Sequence, residues 1–191
     1  MEGRAFAPRK LLVVLSLCLP VALLAASDTR AAEPRPQGSG FVVRGAVGVA
    51  VGGFAVGGQE ERKSGFAGGA LLGLAGRRFE FDFEIAAQPF GVDNPGGGES
   101  FRVVYFLPSV RIHGQHAYLR VGAGWARYSW TGYSVSNESG PALSAALGYE
   151  LAKPHAIPVA IEAYVRGGTS DYSFASSLAG VQLVASWYAR K

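Results

Sequence analysis

Cysteine, charge and long apolar runs are all scarce in this chain of 191 residues. The single cysteine, Cys18, lies inside the first apolar run, so a mature form without that run has no thiol. Disulfides, Cys-ligated metals and Cys nucleophiles are thereby excluded. Charged residues make up only 17% of the chain, against about 25% in ordinary soluble domains, which leaves little to cover a water-facing exterior. Beyond the first segment no more than two Lys or Arg stand side by side, and this argues against a nucleic-acid partner. No segment repeats its apolar residues at helical spacing. What the chain does have is glycine, 27 residues, and aromatics at 12%.

The apolar run comes first. Arg4, Arg9 and Lys10 precede Leu11 to Ala26, which Pro20 interrupts, and Ala25-Ala26-Ser27 offers small residues for cleavage. This is the pattern of a secretory signal peptide over residues 1–27, and it predicts export by the Sec pathway. At 16 residues the run is shorter than the roughly 20 needed by a spanning helix. "LSLC" does not make a lipoprotein signal, because Leu17 stands where a small residue is required and the apolar run continues past Cys18. Removing Arg4, Arg9, Lys10 and Glu2 takes two from the formal +4. "DTRAAEPRPQGSG", residues 28–40, has no apolar pattern and reads as a linker.

From residue 41 to 191 the pattern has period two. In "RRFEFDFEIAAQ", Phe79, Phe81, Phe83 and Ile85 alternate with Glu80, Asp82 and Glu84, which makes a strand with two unlike faces. Similar segments predict eight strands over 41–51, 65–75, 77–88, 100–112, 116–128, 140–151, 157–166 and 177–189. Each is close to the 9–11 residues that a tilted strand needs to cross a bilayer. Longer connections ("GGFAVGGQEERKS", "PFGVDNPGGGE", "SWTGYSVSNES", "GGTSDYSFAS") alternate with short ones (Gly76, "HGQ", "AKPHA"). Short turns at one end and long loops at the other belong to a transmembrane β-barrel. The expected fold is therefore all-β, an eight-stranded antiparallel up-and-down transmembrane barrel.

The faces follow from the alternation. Charge is costly against lipid, at roughly 2–4 kcal/mol for a cation at the midplane, so the apolar phase faces outward and the charged phase inward. That gives an expected lumen network of Arg44, Glu80, Asp82, Glu84, Arg111, Arg120, Glu150, Glu162 and Arg166. Small inward residues such as Gly122, Ser144 and Gly148 leave room for large ones in a narrow barrel. Phe41, Tyr128, Trp130, Trp187 and Tyr188 are expected as interfacial girdles. Pro108, within a strand, is expected to mark a bulge.

With its signal peptide, eight alternating segments and closing "VQLVASWYARK", the chain resembles the small outer-membrane β-barrel proteins, the superfamily of the outer-membrane protein A transmembrane domain and the opacity-type proteins. The resemblance implies location in the bacterial outer membrane. It also implies contact with lipid and lipopolysaccharide, recognition by the barrel-assembly machinery, and outer loops open to a surface ligand. Ala189, Arg190 and Lys191 depart from the family's aromatic end.

Enzymatic chemistry finds little support. His113, His116 and His155 all fall at short turns, away from the outer-loop serines, and they lack metal-ligand spacing. Glu80, Asp82 and Glu84 are better explained as lumen counter-charges than as a catalytic pair. "GGFAVGG" and "PGGGE" lack the strand-to-helix setting of phosphate loops. Asn137-Glu138-Ser139 matches a glycosylation sequon by chance, and the aromatics Trp130, Tyr133, Tyr172 and Phe174 are placed in outer loops. The expectation is a non-enzymatic barrel with a closed, charge-paired lumen and no cofactor, acting in membrane integrity or surface interaction. A soluble lipocalin-like cup for an apolar ligand and a small porin are the alternatives.

Overall fold

The computed structural model describes residues 40–56, 59–76, 78–91, 100–114, 116–131, 136–151, 157–170 and 174–189. The expected signal peptide and nearly all of the linker lie outside these residues. Gly40, assigned to the linker from sequence, is instead the first residue of β1.

The eight strands are β1 (Gly40–Val56), β2 (Gln59–Ala75), β3 (Phe79–Gly91), β4 (Ser100–His113), β5 (Ala117–Thr131), β6 (Ser136–Glu150), β7 (Val159–Thr169) and β8 (Phe174–Tyr188). Each pairs antiparallel with its chain neighbour, and β1 closes on β8 to complete a barrel. Closure satisfies backbone donors and acceptors within the wall, which a strand structure needs in hydrocarbon.

Seven of the strands run further at their outer ends than the apolar alternation indicates. β1 reaches Val56 and β2 begins at Gln59, so most of "GGFAVGGQEERKS" is paired strand, with Phe54 opposite Glu61. The physical reason is that ladder hydrogen bonds persist in water, whereas the apolar exterior is needed only within the bilayer. Sequence alternation therefore fades before the strand does. The sequon Asn137-Glu138-Ser139 lies in β6, and Phe174 opens β8 where an outer loop was expected.

Pro108 makes no bulge. The β4–β5 register is the same on both sides of it, from Phe106↔Trp125 to Ser109↔Gly122, with two positions unpaired between. The ladder accommodates the missing donor by a local gap, and Gly124 makes the close approach feasible. A Cβ there would lie 2.1 Å from the Phe106 carbonyl oxygen and 3.1 Å from Pro108 Cδ.

Outward positions are apolar and open: Phe66 is 81% exposed, Val47 67%, Phe81 64% and Trp125 64%. An exterior of this kind is stable in hydrocarbon and not in water. Phe41 and Trp187 face outward as expected. Tyr128, Trp130 and Tyr188 do not: they share the inward phase, where Tyr128 is fully buried, Trp130 packs on the internal cluster and Tyr188 reaches Arg44. Their aromatic type suited a girdle, but strand parity overrides residue type.

Candidate functional site: the filled lumen

The interior is built in storeys, and β4 shows the division. Its inward residues are Phe101, Val103, Tyr105 and Leu107 toward the outer end, then Ser109 and Arg111 toward the periplasmic end. Charge occupies the lower and middle levels, and aromatic and aliphatic side chains occupy the top.

The lower charge cluster centres on Arg44 of β1. Its guanidinium donates to Glu80 and, at 2.5 Å, to Asp82; Nε donates to Ser186 Oγ at 3.1 Å. Arg111 Nε lies 3.5 Å from Asp82 and 3.9 Å from Glu80, and its guanidinium carbon sits 4.2 Å from the Tyr118 ring centroid. His113 Nε2 is 3.2 Å from Glu80, and Nδ1 is 3.9 Å from Glu150.

The middle cluster centres on Arg120 of β5. It donates to Glu84 from one nitrogen and to Glu162 at 2.6 Å from another. Arg166 donates to the second Glu84 oxygen at 2.5 Å, while Gln182 donates to Glu162 at 2.6 Å. Arg166 also lies 4.0 Å over the Tyr164 ring. Each cluster holds two arginines against two paired carboxylates, so charge balances locally, storey by storey.

Of the nine residues expected in the lumen, eight are buried in these two clusters. Glu150 sits at the periplasmic rim with its side chain 19% exposed and approaches the network through His113. Sequence reasoning missed His113, Gln182 and Ser186. His113 was assigned to a turn, yet it closes β4 with its side chain 3% exposed beside Glu80; its position two residues after inward Arg111 was the available signal. His116 does lie at the turn, exposed, and His155 is outside the described residues.

Above the charges, Phe54, Phe101, Tyr128 and Phe174 form a stacked seal. Phe54 and Phe101 are 4.5 Å apart between centroids, and Tyr128 and Phe174 are 5.9 Å apart at 11°. Tyr105 and Tyr128 meet Ser176 Oγ at 2.8 and 3.2 Å, so their hydroxyls are bonded inside the plug. A charged floor beneath an aromatic seal is not an apolar cup, and the lipocalin-like alternative loses its ligand cavity.

A closed antiparallel barrel of eight strands, apolar outside and polar within, is the fold of the small outer-membrane β-barrels, and this exterior is built to face a lipid bilayer. Among solved structures it is similar to Ail, the attachment invasion locus protein of Yersinia pestis, crystallised with the heparin analogue sucrose octasulfate. That match has a TM-score of 0.57 at 13% identity and covers 78% of this chain and 99% of Ail. Neisserial surface protein A matches with a TM-score of 0.54 at 16% identity, over 78% of this chain and 99% of that one. No family model and no curated protein sequence matches the chain.

Proposed function

We propose that the protein is a non-enzymatic, non-conducting outer-membrane barrel that contributes to envelope integrity, with lipopolysaccharide and lipid as its surroundings. The observation that carries this reading is the double closure of the lumen: an aromatic seal at the outer end above two ion-paired clusters. Both Glu84 oxygens are taken by arginine, and Glu162 is held by Arg120 and Gln182. Carboxylates held in this way neither accept a substrate proton nor leave a path for ions. Purified protein in planar bilayers is expected to show no sustained conductance. Stable open-channel currents would defeat this reading and favour a porin. A second reading, surface interaction, is supported by the strands that extend beyond the bilayer, such as the β1–β2 hairpin to Val56 and Gln59. These form a paired platform on which a soluble ligand could rest.

A further inference from the structure

The four lumen arginines all have carboxylates within 4 Å. On the outer wall Arg102 of β4 and Arg127 of β5 are exposed, and among the described residues neither has an acidic partner. Register sets Arg102 opposite Ser129 and Val104 opposite Arg127, so the two cations are diagonal neighbours, with Cβ atoms about 7–8 Å apart. Two like charges so close, at the edge of a lipid-facing wall, repel one another, and an anion from outside the chain relieves that repulsion.

Their height identifies its source. Going up β4, the outward residues are Ile112, Val110, Pro108, Phe106 and Val104, then Arg102; on β5 they are Leu119, Val121, Ala123 and Trp125, then Arg127. Ten residues of tilted strand span about 25 Å, the height of the apolar band of such barrels. The arginines thus mark the outer boundary of the hydrocarbon, where outer-leaflet phosphates lie. Trp125 and Phe106 pair directly beneath them. Above, Ser129 donates to Asn137 Oδ1 at 2.9 Å, which leaves the Asn137 amide nitrogen as a donor on the exposed face.

An independent feature adjoins this pair. The β2–β3 ladder stops at Gly68↔Ala87. At that seam Val47, Gly48, Phe66, Ala67, Gly68, Ala87 and Pro89 line an external groove of about 420 Å³ with no charged or hydrogen-bonding side chain. Pro89 on its rim is the direct cross-strand neighbour of Arg102. An apolar groove ending beside two unpaired cations has the chemistry of one ligand with acyl chains and phosphates.

We infer that this wall is a binding site for the phosphorylated lipid A part of lipopolysaccharide, with an acyl chain in the groove and phosphate on Arg102 and Arg127. The site rests on the outer-membrane reading above. Arginines on two neighbouring strands have the reach to take separate phosphates of a diphosphorylated lipid, and the polar Ser129–Asn137 edge faces the sugar.

The test uses refolded full-length protein in micelles, with native mass spectrometry of retained lipid under competition between diphosphorylated lipid A and phosphatidylglycerol. Wild type should retain lipid A preferentially. R102S/R127S, carrying two exposed substitutions, should lower that retention by about tenfold or more, the scale of losing charge-assisted phosphate contacts. A87F, which fills the groove and leaves the charges in place, should also weaken it. Unchanged retention by the double variant, or equal retention of phosphatidylglycerol by wild type, overturns the site; unchanged retention by A87F overturns the groove as its acyl seat. Heat-modifiable mobility is read on the same samples. A folded barrel indifferent to lipid A refutes this site alone, whereas wild type that never forms a heat-modifiable barrel refutes the outer-membrane reading on which it rests.

Discussion

Replacing Arg120 with methionine removes the cation shared by Glu84 and Glu162 and keeps most of the side chain's volume. The two acids are left in unequal positions. Glu84 keeps Arg166 at 2.5 Å, whereas Glu162 loses its contacting cation and keeps the neutral Gln182 amide at 2.6 Å, with Arg111 and the Tyr118 hydroxyl further off. All of these side chains are essentially buried. Breaking one buried pair costs about 3–5 kcal/mol, chiefly because the remaining charge has no counter-ion. Since Glu84 stays paired, the loss should be that of one stranded carboxylate, Glu162. Arg120→Met is therefore expected to destabilise by about 3–5 kcal/mol. Arg120→Met with Glu162→Gln removes the stranded charge and leaves Glu84–Arg166 as a neutral pair, and it should recover more than half of that loss. Reversible urea unfolding in lipid vesicles, read by tryptophan fluorescence and gel mobility, measures both. A single variant within about 1 kcal/mol of wild type, or a double variant no more stable than the single, would refute the claim that local charge balance holds the lumen together.

Other expectations test the wall, the packing and the topology. Phe81→Arg places a cation on a lipid-facing position and should impair insertion by about 2–4 kcal/mol, seen as loss of the heat-modifiable band; normal assembly would mean the faces are reversed. Gly148→Ala sets a Cβ about 2.0 Å from the Tyr118 ring and should destabilise by about 1–3 kcal/mol through overpacking. Tyr118→Val added to it should relieve the clash, and a double variant with no gain in unfolding midpoint would contradict that packing. An epitope inserted between Gly57 and Gly58 should be readable by antibody on intact cells. The same insertion after Glu61 splits the Phe54↔Glu61 pairing and should reduce assembly; detection at 57–58 only after permeabilisation would invert the topology.

Period-two alternation determined the strand count, the antiparallel order and which phase of each strand faces lipid, because the bilayer acts on every residue of the wall separately. It marked Glu80, Asp82 and Glu84 as one inward row, and it set Arg120, Glu162 and Arg166 inward on β5 and β7. Which acid meets which arginine was not legible, since partners such as Arg166 and Glu84 lie 82 positions apart and meet only when the ring closes with its strand stagger. The same closure carried Tyr128 and Phe174 into the outer seal and His113 beside Glu80. Parity along β4 and β5 marks His113 and Tyr128 as inward, but the neighbours they meet there sit on other strands and are fixed only when the ring closes. The outer ends of the strands were equally hidden, for beyond the membrane the ladder is held by backbone hydrogen bonds that every sequence can make. Sequence by itself determined the side on which each residue stands; only the closed barrel decided what it meets there, because inward side chains from all eight strands share one narrow interior.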